Sequence, residues 1–158
     1  QFVEVPNLKK GVPVVSSIVL QSFSLEKWQK LNQAAPDFTT DPLSSPMNDT
    51  SLRRFKLGSI LRYGFEIYNA KLDASRQPNL NTKIRIFRDG KIVLDGSQIP
   101  LDLSGQMEMK QLKASGAVSL GKNMPPGDYI LQIIVTDNLA KEKRKIATQF
   151  VQFEVIAE

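Results

Sequence analysis

The stretch Gly127-Asp128-Tyr129-Ile130-Leu131-Gln132-Ile133-Ile134-Val135 decides the fold. Tyr129, Leu131, Ile133 and Val135 alternate with Ile130, Gln132 and Ile134, and a period of two marks a strand, since a helix repeats every 3.6 residues. Both rows are largely apolar, so the strand is expected in the middle of its sheet. The preceding Met124-Pro125-Pro126 reads as a turn, because neither proline can donate to a sheet ladder.

Working outward, Ile60 to Asn69 places Leu61, Tyr63, Phe65 and Ile67 on one face and Arg62, Gly64, Glu66 and Tyr68 on the other. Near the end of the chain Val151, Phe153 and Val155 alternate with Gln152 and Glu154. Between these regions lies a hairpin. Thr82 to Arg88 runs into Asp89-Gly90 and then Lys91 to Leu94, and a two-residue Asp-Gly loop favours a type I′ turn. That loop predicts Arg88 opposite Lys91, Phe87 opposite Ile92 and Ile86 opposite Val93. Weaker strands are expected over Val14 to Leu20, Leu52 to Leu57, Gln106 to Leu112 and Ala117 to Leu120.

Eight or nine short strands separated by turns point to an all-β, immunoglobulin-like two-sheet antiparallel β-sandwich with Greek-key connections. In such sandwiches a tyrosine sits two residues before a buried position of the F strand, and its hydroxyl ties down the preceding corner. Tyr129 and Leu131 fit that spacing, and so does a plain core tyrosine. One short helix is expected over Ser24 to Leu31, with Ser24 as its cap and Leu25, Trp28 and Leu31 on one stripe. A single domain over 1–158 follows: N-terminal strands and helix in 1–31, a long polar proline-containing loop in 32–50, and the main sandwich in 51–158.

Composition narrows function by subtraction. The 158 residues contain no histidine and no cysteine, which removes the commonest general base, the commonest metal ligand, thiolate sites and disulfides. There is no G-x-S-x-G elbow, S-x-x-K motif or glycine-rich phosphate loop. Asp73, Asp89, Asp95, Asp102, Asp128 and Asp137 fall at expected turns, where backbone chemistry accounts for them. The same applies to Asp137 and Asn138 with Asp73 or Asp49 as calcium ligands, because no spaced Asp-x-Asp-x-Asp-Gly loop is present. The reading is a non-enzymatic chain with no catalytic, metal or cofactor residues. The apolar stretch Val12 to Leu20 is far too short and interrupted to span a bilayer. The chain starts at Gln1 without a basic-then-apolar leader, which fits either a removed signal peptide or an excerpt of a longer chain.

The order of landmarks resembles the C-terminal β-sandwich region of bacterial VWFA-related proteins, often acidobacterial. The resemblance rests on Val5-Pro6-Asn7-Leu8, Val14-Val15-Ser16-Ser17-Ile18-Val19-Leu20, Arg53-Arg54-Phe55 and Leu61 to Asn69. It continues through Arg88-Asp89-Gly90-Lys91, Pro126-Gly127-Asp128-Tyr129, Val135-Thr136-Asp137 and Phe153-Glu154-Val155, and so spans nearly the whole chain. It implies an exported protein, periplasmic or extracellular, of undetermined biochemical role. The family's A-type domain carries an Asp-x-Ser-x-Ser metal loop that this sequence lacks, so no metal ligand is carried over.

What remains is interaction chemistry: an accessory module contacting a protein partner or other domains of the same polypeptide through sheet faces, edges or end loops. Candidate contact residues are Trp28, Tyr68, Lys141, Lys143, Arg144 and Lys145, together with the 32–50 loop. A carbohydrate-binding sandwich with Trp28 and Tyr68 as a stacking platform is the alternative. Specific nucleic-acid binding is not expected, because the Lys141 to Lys145 run lacks interleaved aromatics and reads as a solvated hairpin tip.

Overall fold

A computed structural model describes residues 11–33, 52–121 and 123–157. In chain order the elements are β1 (Val14–Val15), β2 (Val19–Phe23), α1 (Leu25–Gln33), β3 (Arg54–Lys56), β4 (Ile60–Tyr68) and β5 (Leu80–Arg88). They continue with β6 (Lys91–Asp95), β7 (Ile99–Pro100), β8 (Gln111–Ser119), β9 (Gly127–Asp137), a 3-10 turn (Glu142–Arg144) and β10 (Ile146–Ile156). Of the expected 32–50 loop, Asn32 and Gln33 belong to α1 instead, and the rest lies outside the described residues.

The strands form two sheets. In the smaller, β4 is central, with β8 along one side and β1 and β2 end to end along the other. In the larger, the order is β3-β10-β9-β5-β6, with β7 also on β5. Every pairing is antiparallel except β3 with β10. The β5-β9-β10 order is the C-F-G order of an immunoglobulin-like sandwich, and β2, β4 and β8 stand as its A, B and E strands.

The central position expected for the Tyr129 strand is what the register gives: β9 pairs with β10 on one side and β5 on the other. Its inward row of Tyr129, Leu131, Ile133 and Val135 is buried, together with Leu61, Phe65 and Ile67 of β4 and Phe153 and Val155 of β10. Burying each such side chain is worth about 1.5–3 kcal/mol relative to leaving it in water. The tyrosine corner is formed. Tyr129 donates its hydroxyl to the Pro125 carbonyl at 2.6 Å, four residues upstream. Arg88 clamps the same corner, donating from Nη1 to Pro125 O (3.1 Å) and from Nη2 to Pro126 O (3.2 Å), with its guanidinium 5.5 Å from the Tyr129 ring.

Four local expectations need correction. In the hairpin, Asp89 and Gly90 both take positive φ as a type I′ turn requires, and Arg88–Lys91 and Phe87–Ile92 pair as expected. The register then slips, so Ile86 faces Leu94 and not Val93. This bulge turns Leu94 toward the core and leaves Val93 exposed. The expected strands 106–112 and 117–120 are one strand, β8. Gln106 stands outside it, its side-chain amide bonding Lys113 N and O on the open edge in place of a further strand. Val14 to Leu20 is two strands, broken where Ser16 exchanges hydrogen bonds with Glu66. Helix α1 has nine residues and Ser24 accepts from Lys27 N, yet Leu25 and Leu31 are exposed and only Trp28 of the stripe packs, against Phe23.

Candidate functional site: a sheet face and an end groove

The outward face of the larger sheet departs from polar alternation. Register places Phe87 of β5 beside Ile92 of β6 and Ile130 of β9. Gln132 pairs with Phe150 of β10, so Phe150 lies diagonal to both Ile130 and Ile134. Phe150 is 54% exposed, Ile92 49% and Ile130 41%, so a continuous apolar strip crosses four strands without cover from the described residues. Charges border it. Asp95 Oδ1 meets Lys83 Nζ at 2.8 Å and Arg85 Nε at 2.9 Å, and Arg54 pairs with Glu154 at 2.8 Å. Hydrogen bonds from Lys83 and Arg85 hold the Asp95 carboxyl below its ordinary range. The apolar second row of β9 was the sequence signal for this face. Alternation alone marks a central strand and does not say whether its outward row is covered.

The second surface lies at one end of the sandwich, where the β4–β5 and β9–β10 connections meet. Asp137, 1% exposed, builds this end. Its Oδ2 accepts from Lys71 N (2.8 Å) and its Oδ1 from Leu139 N (3.0 Å), while Asp137 N donates to Lys145 O (2.7 Å). Asn138 adds a second tie, donating from N to Asn79 O (2.9 Å) and from Nδ2 to Asn79 Oδ1 (2.8 Å). Between the two connections opens a groove of about 970 Å³, lined by Lys71, Lys110, Lys141, Glu142, Lys143 and Arg144 among others.

The candidate residues named from sequence separate accordingly. Lys141, Lys143 and Arg144 come together in the groove, joined by Lys71 and Lys110. Lys145 pairs with Glu142 at 3.1 Å. Trp28 packs on Phe23 with ring centroids 5.9 Å apart. Tyr68 gives its hydroxyl to Glu66, and that bond, with burial next, raises its pKa. Trp28 and Tyr68 do not form a platform. Phe23 pairs with Ile60 at one end of β4 and Tyr68 ends the other, about 27 Å away at strand rise.

Three of the carboxylates considered for chemistry are occupied by backbone amides. Asp73 Oδ1 accepts from Ser75 N and Gln77 N, Asp102 Oδ1 from Ser104 N, and Asp137 from the two amides above. Among the described residues, no group of three or more acidic side chains is placed to hold a metal ion, and no helix is long and apolar enough to cross a membrane. Asp49 lies outside the described residues.

Strand order, the parallel β3 and the tied corner define the class: an immunoglobulin-like β-sandwich domain. No protein-family model matches the sequence, and no curated protein does. Among solved structures, the chain is similar to the CARDB domain of a Pyrococcus furiosus protein, solved in complex with di-metal ions. Identity is 11%, coverage 94% of this chain and 97% of that one, and the TM-score 0.44. It is also similar to a Niemann-Pick type C2 protein from the Japanese carpenter ant, at 15% identity, 99% and 100% coverage and a TM-score of 0.44. A family 123 glycoside hydrolase from Clostridium perfringens matches at 12% identity, over 90% of this chain but 28% of the enzyme, with a TM-score of 0.40. These likenesses carry no functional argument.

Proposed function

We propose that this domain is a non-catalytic interaction module of a larger exported protein, and that it binds a folded protein surface through the outward face of its larger sheet. The observation that carries the reading is the uncovered strip of Phe87, Ile92, Ile130 and Phe150. Contiguous exposed apolar surface rimmed by charge is the anatomy of a protein–protein contact, with the apolar centre supplying burial and the rim supplying register. The absence of histidine and cysteine supports a role without catalysis. So does the capture of Asp73, Asp102 and Asp137 by backbone amides. The resemblance to the C-terminal sandwich of VWFA-related proteins supports the exported setting and a partner domain within the same polypeptide.

A photo-crosslinking residue placed at position 150 in the full-length protein tests this, with position 113 on the opposite sheet as control. Protein adducts formed at 150 and not at 113, and suppressed by Ile130→Asp, are expected. Equal adduct formation at both positions would sink the proposal.

A further inference from the structure

We infer that the end groove is a binding site for clustered phosphate groups, independent of the sheet face. Four of the chain's five excess positive charges sit there: five of its 21 basic residues and one of its 16 acidic residues line the groove. Three cations come from Lys141, Lys143 and Arg144, and two more from Lys71 and Lys110, far away in sequence. None of the five has a carboxylate partner among the described residues. The one carboxylate on the rim, Glu142, is already engaged by Lys145.

Like charges lining one groove repel, and an anion seated between them relieves that repulsion. The arrangement is also held in place. Buried Asp137 fastens the Lys71 backbone to the connection that carries Lys141 to Arg144, so both walls keep their spacing before any ligand arrives. Asp137 itself is buried and forms no ion pair with these cations, its two oxygens accepting backbone N–H groups.

The lining selects among anions. It contains no aromatic side chain, so neither bases nor sugar rings have a stacking surface. Four of the five cations are lysines, compact point charges that hold an anion by charge rather than by a planar fork, which favours the densely charged phosphate chain. A volume of about 970 Å³ is at the upper end for a ligand site and accommodates several phosphates in series. Such phosphates can be free in solution or presented as lipid headgroups.

Isothermal titration with inorganic tripolyphosphate, in parallel with co-sedimentation on phosphatidic acid vesicles against phosphatidylcholine vesicles, tests the assignment. The groove variant Lys141→Gln/Lys143→Gln/Arg144→Gln is compared with Lys27→Gln/Lys91→Gln/Lys113→Gln, which removes the same charge elsewhere. The expected result is saturable binding of tripolyphosphate, phosphatidic acid vesicles or both. It should weaken at least tenfold in the groove variant, stay within twofold in the control variant, and fall steeply with salt. Binding to vesicles alone assigns the headgroup source, and binding of tripolyphosphate alone the free one. Equal loss in both variants, tricarballylate binding as tightly as tripolyphosphate, or no binding to either probe would overturn it. Unchanged melting temperatures in both variants show that the fold is intact, since all six side chains are exposed.

Discussion

Replacing Asp137 by asparagine strikes the joint on which the end groove is built. The aspartate is buried and accepts one backbone N–H on each oxygen, from Lys71 at 2.8 Å and Leu139 at 3.0 Å. Asparagine keeps one acceptor, but its amide nitrogen then faces a backbone donor, and the surviving bond loses its charge. A hydrogen bond to a charged group contributes about 1.5–3 kcal/mol, and a stranded buried donor costs about 1–3 kcal/mol. The expected loss is therefore about 2–4 kcal/mol. For a domain of this size that is a drop in Tm of roughly 5–15 °C. Urea unfolding should show a lower midpoint at unchanged m. Hydrogen exchange should show the Lys71 and Leu139 amides losing protection ahead of the β9 core. A loss under about 1 kcal/mol with both amides still protected would refute the assignment of Asp137 as the joint.

Four other substitutions probe separate parts of the argument. Tyr129→Phe deletes both the 2.6 Å corner bond and the 3.2 Å bond the hydroxyl accepts from Arg88 Nη1, leaves Arg88 on Pro125, and should cost about 1–2 kcal/mol in urea unfolding. Gly116→Ala drives a methyl into the space held by the Tyr63 hydroxyl and should cost about 1–3 kcal/mol; Tyr63→Leu in the same chain should recover part of it. Gln132→Leu removes a buried carbonyl oxygen that has no hydrogen-bond partner, and should raise the urea midpoint or leave it unchanged. Asp95 is held below its ordinary pKa when folded, so its contribution is present above the unfolded value near 3.9 and is lost as pH falls through the folded value. Melting scans should therefore fall more steeply below about pH 4 in the wild type than in Asp95→Asn.

The parts of this domain legible in sequence are those set by local spacing. The Asp89-Gly90 turn is legible from its two residues, whereas the spacing of Tyr129 and Leu131 fits a corner and a plain core tyrosine alike until the hydroxyl is seen on Pro125 O. The bulge after Phe87 was hidden because Val93 and Leu94 are both apolar and either can be read as the inward residue. Leu25, Trp28 and Leu31 have helical spacing, but spacing cannot say whether a sheet stands beneath each of them, and it does so only for Trp28. The groove was visible only as the run from Lys141 to Lys145. Lys71 and Lys110 reach it through tertiary structure, and Asp137 looked like any other turn aspartate until its two amide partners were in view.

The single parallel pairing has a consequence for how the chain is made. Arg54 of β3 aligns with Glu154 of β10, and the neighbouring Phe55 finds its cover in Phe153 at 6.2 Å. At ordinary ribosome speeds the hundred residues between them take roughly 5–20 s to emerge. Throughout that wait Phe55 is without its last neighbour, and β9, once made, has a bare side until β10 follows. A nascent chain stalled before Ile146 is therefore a sticky intermediate, and the making of β10 is itself the event that seals the sandwich.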